Sequence, residues 1–223
     1  MALVTSVVTL SSTLTTVESA RDLGVVLDSQ LTMSAHLNRL CVPVSVYHQL
    51  RQLRPIIRSL SVDVAKMLVQ AFLSSRLDYC NCLPIGITDG LVWRLQAVQN
   101  AAARLITDTR RRDHITPILR QLHWLPVCQR IEFKLAVLVF KTLHGSAPQY
   151  LVDDCQLVTA SGRRQLRSSD VNTCVIQRSR TRLGDHSFAV AGPRLWNSLP
   201  VGLRHINLSI GQFLSALKSQ LLN

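Results

Sequence analysis

Between Leu91 and Gly145 the apolar residues keep helical time. Leu91, Leu95, Val98, Ala102 and Leu105 follow one another in steps of four, three, four and three, which places them on one stripe and leaves Arg94 and Arg104 off it. The spacing predicts an amphipathic helix. Next, Thr116 followed by Pro117 reads as an N-cap with proline at the first helical position, opening a short helix that runs to Trp124 and stops before Pro126. A third helix starts near Arg130. From Ile131 to Leu143 only Glu132, Lys134, Lys141 and Thr142 interrupt apolar residues, so most of its circumference needs cover, and Gly145 and Pro148 close it.

On either side the pattern changes. Leu3 to Val17 alternates Val and Leu with Ser and Thr, and Leu23 to Leu27 is a second apolar run, which predicts a β-hairpin or two strands. Ser34 can cap a helix carrying Leu37, Leu40, Val44, Leu50 and Leu53, with Pro43 kinking or splitting it and Pro55 ending it. Ser61 opens another, with Val64, Leu68, Ala71 and Phe72 on one face as far as about Leu77, and Pro84, Gly86 and Gly90 then mark a loop. Beyond Pro148, Ser161 to Arg182 mixes turn formers with Arg163, Arg164, Arg167, Arg178, Arg180 and Arg182, and irregular or β structure is expected there. Gly192, Pro193, Trp196 and Pro200 follow, then a helix capped by Ser209 and bearing Phe213, Leu217 and Leu221. The fold class is mainly α, in three parts: terminal strands in 1–30, a helical domain in 31–148 and a basic α+β extension in 149–223.

Charge gives the first pointer to a partner. With 25 Lys+Arg against 13 Asp+Glu the chain carries +12, a surplus that favours polyanions, nucleic acid before acidic membrane. Arg110, Arg111 and Arg112 stand together between two helices, where long side chains can reach out. Arg178, Arg180 and Arg182 alternate with Ser179 and Thr181, so an extended strand would align them in one row suited to a phosphate backbone, or would use them to protect a sheet edge. A membrane span is not expected, because the best candidate, Phe133 to Leu143, is short and carries Lys134 and Lys141. Met1 to Val17 lacks the charge pattern of a targeting segment.

Other chemistry is thin. The six cysteines have irregular spacing and read as reduced thiols, and His114, His123 and Cys128 match no zinc pattern, so neither metal nor cofactor is expected. His114 reads as a polar residue between helices and His123 as a partly buried neighbour of Trp124. Cys80 and Cys82 have no positioned base beside them that would make either a nucleophile. Trp93, Trp124 and Trp196 are read as core fillers before base-stacking platforms.

Four blocks carry a family resemblance. They are Ser19-Ala-Arg-Asp-Leu-Gly-Val-Val-Leu-Asp28, Ser74-Ser-Arg-Leu-Asp-Tyr-Cys-Asn81, Gln99-Asn-Ala-Ala-Ala-Arg104 and Phe188-Ala-Val-Ala-Gly-Pro-Arg-Leu-Trp-Asn-Ser-Leu-Pro200. Together they resemble the carboxyl-terminal third of the reverse transcriptase polyprotein of non-LTR retrotransposons (LINE elements) of the Jockey-like kind, over about residues 18 to 223. The resemblance implies that residues up to about Asp28 end the palm, that Leu31 to Gly145 include the helical thumb, and that the rest is a basic extension. It also implies palm aspartates upstream that hold two divalent cations. Leu151-Val-Asp-Asp154 does not supply them, because leucine stands where the aromatic should and no strand-turn-strand pattern surrounds it. The expectation is a truncated product that binds RNA or a primer–template duplex without polymerising. Its candidate phosphate contacts are Arg110, Arg111, Arg112, Arg163, Arg164, Arg178, Arg180 and Arg182. The alternatives are a protein-interaction module or inert folded remnant, in which the charge is only surface, and a sequence-specific DNA reader built on the 91–106 helix, which offers few side chains suited to base edges.

Overall fold

A computed structural model of the chain describes residues 6–8, 13–15, 17–22, 25–29, 35–36, 43–77, 88–160, 172–205 and 207–222. The chain divides into two compact units, one of Met1–Leu83 and Ile87–Ile106, the other of Pro84–Gly86 and Thr107–Asn223. The division falls inside the central run of three helices, so the first of them belongs to one unit and the other two to the second.

In the first unit the Val- and Thr-rich start forms two antiparallel pairs. β1 (Ser6–Val8) pairs with β2 (Thr13–Thr15) with Val7 opposite Leu14, and β3 (Ser19–Asp22) pairs with β4 (Val25–Asp28) with Arg21 opposite Val26. The second hairpin gains one more bond where the Ser29 N–H donates to the Glu18 carbonyl at 3.0 Å. Val25 is buried, and the Val26 N–H donates to Nδ1 of the buried His36 at 3.3 Å.

α1 (Pro43–Arg58) agrees with a run split at Pro43 and corrects the reading of Pro55. Pro43 is the first helical residue, where no amide hydrogen is needed, and Pro55 lies inside the helix without ending it. The last turn closes when Ser59 donates to the Ile56 carbonyl through both its N–H, at 3.0 Å, and its hydroxyl, at 2.7 Å. Ser34, Leu37 and Leu40, expected at the start of this helix, lie outside the described residues.

α2 (Val62–Leu77) opens where expected, with the Ala65 N–H on the Ser61 carbonyl at 2.9 Å, but turns another face inward. Ala65, Val69 and Leu73 are buried, while Val64 is 42% and Leu68 36% exposed. The helix carries two apolar stripes at helical spacing, and periodicity alone does not choose between them; the one with small Ala65 and Val69 is turned inward. α3 (Asp89–Thr107) fits its predicted stripe, since Leu91, Leu95, Val98 and Ala102 are buried and Leu105 half-buried; Gln99 and Ala103 join them. Burial of each large apolar side chain is worth about 1.5–3 kcal/mol. α3 ends at Thr107, and the next residue, Asp108, has φ of 51°, the left-handed conformation that stops a helix.

The second unit starts with α4 (Ile115–Gln121) and α5 (Val127–Leu143). α4 begins one residue before Thr116, with His114 as N-cap and no side-chain cap bond, so Pro117 sits in the first turn without breaking a bond. It ends at Gln121 and not at Trp124, in a Schellman motif: Trp124 N–H donates to the Leu119 carbonyl at 2.8 Å and His123 N–H to the Arg120 carbonyl at 3.0 Å. His123 takes φ of 55° in the place where glycine usually stands, and it is exposed, contrary to the partly buried role expected of it. α5 starts three residues earlier than predicted because Pro126 offers its carbonyl to the Arg130 N–H at 2.8 Å. Its far end is the Gly145 version of the same motif, with φ of 65° and the Ser146 N–H on the Lys141 carbonyl at 2.8 Å.

The remaining elements follow α5, and three of their helices pack against it. These elements are α6 (Gln149–Asp154), a 3-10 turn at Val158–Ala160, α7 (Arg182–Asp185), α8 (Phe188–Ser198), a 3-10 turn at Val201–Arg204 and α9 (Ile210–Leu222). The core joins Ala136, Val139 and Phe140 of α5 to Trp196, Leu199, Phe213 and Leu217. Phe140 stacks on Phe213 with centroids 4.3 Å apart. Gly192 lets α8 approach closely, since a Cβ there would lie 3.0 Å from Cγ2 of Val139. Ser209 caps α9 as expected, its hydroxyl accepting from Gln212 N–H at 3.3 Å while Gln212 Oε1 accepts from Ser209 N–H at 3.0 Å. The molecule is mainly α with short N-terminal hairpins.

Candidate nucleic-acid interface

The Arg110–Arg112 triplet sits in the turn between α3 and α4. The Arg110 N–H donates to Oδ2 of Asp113 at 3.0 Å, and the Asp113 N–H donates back to the Arg110 carbonyl at 3.1 Å. That reciprocal pair fixes the turn, and all three arginines are exposed. The same geometry brings carboxylates with it. Asp108 and Asp113 flank the triplet, so the 108–113 segment has a formal surplus of one positive charge, far less than the arginines alone suggest.

The second predicted row does not form. Residues 175–179 are irregular, and the only pairing described nearby is the isolated bridge between Leu157 and Cys174. At Thr181 the chain turns into α7: the Thr181 hydroxyl accepts the Gly184 N–H at 3.1 Å, and its carbonyl accepts the Asp185 N–H at 3.1 Å. Thr181 thus caps α7, while the Ser179 hydroxyl accepts the Thr181 N–H at 3.2 Å and donates to its carbonyl at 2.9 Å, and such local bonds compete with the extended ladder that the alternation suggested. Arg178 and Arg180 are exposed on the approach, and Arg182 is the first residue of α7. Arg163, Arg164 and Arg167 lie outside the described residues.

A basic face went unrecognised in the sequence. Arg51, Arg54 and Arg58 stand at steps of three and four along α1, on one side of the helix, and all three are exposed. His48, also exposed, precedes them by one step and meets Gln52 at 2.9 Å. α1 contains no Asp or Glu. The signal was present as Arg-x-x-Arg-x-x-x-Arg, but a helix expected to stop at Pro55 left Arg58 outside it.

Other candidates resolve simply. Asp153 and Asp154 end the short helix α6, where Asp153 Oδ1 accepts from Gln149 Nε2 at 2.9 Å. Trp124 and Trp196 are core residues, whereas Trp93 is 74% exposed and is not a core filler. Arg120 is used inside its own unit, its Nε donating to the Leu222 carbonyl at 3.1 Å. Among the described residues no group of three His, Cys, Asp or Glu side chains is placed to hold a metal ion, and no helix is long and apolar enough to cross a membrane. No family model, curated protein or solved structure matches the chain.

Proposed function

We propose that this chain is the thumb-containing, post-palm part of a LINE-type reverse transcriptase and that it grips RNA or an RNA–DNA duplex by its phosphates, without supplying the metal-holding carboxylates of polymerisation. The observation that carries the reading is the acid-free face of Arg51, Arg54 and Arg58 on α1. A helix rises about 1.5 Å per residue, so the row spans about 10 Å. On a duplex that is roughly three steps of one strand at about 3.4 Å each. Guanidinium forks match phosphate oxygens two at a time, and with no carboxylate on the helix to neutralise them they remain available for such contacts. The Arg110–Arg112 turn of the second unit is a separate, weaker candidate contact, and four sequence blocks resembling the LINE family point to the identity of the polyanion.

A second reading, a protein-interaction module, has its own observation. Val62, Met67 and Ile56 of the first unit are at least half exposed. Fluorescence anisotropy with a labelled RNA and an RNA–DNA hybrid separates the two. The nucleic-acid reading expects binding at low ionic strength that weakens by roughly 0.7–0.9 log units per phosphate contact for each tenfold rise in salt. No binding at low ionic strength overturns it and leaves the protein-interaction reading.

A further inference from the structure

Cys155 and Cys174 are free thiols whose sulfurs lie 3.8 Å apart, both buried, at 3% and 2% exposure, although they are 19 positions apart in the chain. The meeting is held by backbone and side-chain bonds. Leu157 stands opposite Cys174 in an antiparallel bridge, with the Val158 N–H on the Thr173 carbonyl and the Val175 N–H on the Gln156 carbonyl, each at 2.8 Å. Side chains alternate along an extended segment, so Cys155, two residues before Leu157, shares its side and is the diagonal neighbour of Cys174. From the other edge Asn197 of α8 behaves as a third strand does. Its Oδ1 accepts the Cys174 N–H at 2.8 Å and its Nδ2 donates to the Cys174 carbonyl at 2.9 Å. Two residues before Cys174, the Asn172 carbonyl accepts from Trp196 Nε1 at 2.7 Å, and Asn172 Nδ2 donates to the Arg204 carbonyl at 2.8 Å. Cys174 is therefore fixed in place by α8 and the following 3-10 turn, and Cys155 is brought to it by the bridge.

A disulfide needs its sulfurs about 2.05 Å apart, so the gap to close is roughly 1.8 Å, within reach of side-chain rotation. We propose that Cys155 and Cys174 are a site of reversible oxidation, forming a disulfide that staples the two ends of the 156–173 segment. The oxidant is hydrogen peroxide. The Cys155 thiolate attacks one peroxide oxygen and expels hydroxide, which takes up the released thiol proton as water; Cys155 is then a sulfenic acid. The Cys174 sulfur attacks the Cys155 sulfur, the S–O bond breaks, and the hydroxyl leaves with the Cys174 proton as a second water. Two thiols and one peroxide give one disulfide and two waters. The hydrogen bond between the sulfurs favours this order, holding the Cys155 thiol below the ordinary cysteine range and, together with burial, pushing that of Cys174 well above it. Because both sulfurs are buried, peroxide reaches them rarely and their oxidation is slower than modification of the exposed Cys128.

The test is peptide mapping on the full, folded chain. The protein is treated with hydrogen peroxide, then unfolded in a thiol-alkylating reagent and digested without reductant. The Cys155 and Cys174 peptides are expected joined, two hydrogens lighter than their sum and separable by reductant. The oxidised chain is expected to melt several degrees above the reduced one, since the link removes freedom from the unfolded chain. Cys174→Ser with an unchanged circular dichroism spectrum is expected to lose both effects. Recovery of both thiols alkylated, over-oxidation of Cys155 without a link, or a bond to a different cysteine overturns the proposal, and the mapping on the parent chain decides this whether or not the variant folds.

Discussion

Two arginine triplets in this chain have the same number of charges and very different surroundings. Arg51, Arg54 and Arg58 are spread along a helix that has no acid, whereas Arg110, Arg111 and Arg112 are consecutive in a turn whose geometry depends on Asp113 and whose helix stop is Asp108. The compact triplet is the conspicuous one in the sequence and the dilute one in space. What a guanidinium offers a phosphate depends on the carboxylates the fold places beside it, and a turn recruits Asp for the same reason a helix face excludes it: Asp caps backbone amides. The helix face is therefore expected to dominate the grip.

The largest effect expected is on α1. Replacing Arg51, Arg54 and Arg58 together with Ala is predicted to weaken RNA binding by more than about tenfold near ~0.1 M salt, because up to three charge-assisted contacts are lost. Circular dichroism should stay unchanged, since Ala is the stronger helix former and all three side chains are exposed. The same three positions changed to Lys sharpen the point. Charge is kept while the planar fork is lost, and an intermediate fall of a few-fold is expected in the same titration. Equal affinity for the Lys variant and the parent would mean that charge alone holds the nucleic acid.

Replacing Arg110, Arg111 and Arg112 with Ala is predicted to cost only about two- to fivefold, with a flatter salt dependence. A loss larger than that of the α1 variant reverses the comparison. The smallest effect, and the most pointed, comes from the acids. Asp108→Asn with Asp113→Asn keeps a side-chain oxygen for the Arg110 amide and a residue at home in the left-handed region. It is expected to raise affinity by about twofold and to steepen the salt dependence. No change would show that the turn does not face the nucleic acid.

How far the sequence told this story depends on how each element is encoded. α3 has a single apolar stripe, so Leu91, Leu95, Val98 and Ala102 located both the helix and its buried face. Ser209 and Gln212 spell a capping box, and α9 begins where they say. α2 defeated the same method because it has two apolar stripes, and which one faces inward depends on packing that no periodicity records. His123 takes the left-handed turn usually marked by glycine, so the end of α4 had no visible signal. The candidate site suffered most from Pro55. Read as a stop, it divides Arg51 and Arg54 from Arg58; inside a continuing helix, it leaves them on one face. Thr181 had the opposite effect, as its cap of α7 replaced the strand in which Arg178, Arg180 and Arg182 would have aligned.

The most direct test of the proposed phosphate grip on α1 is the slope of log affinity against log salt for a labelled RNA, measured for the parent and for the Arg51, Arg54 and Arg58 to Ala variant. Each phosphate contact contributes roughly 0.7–0.9 to that slope, so the variant's slope should be smaller by about two to three. Parallel slopes with equal affinities would contradict the account.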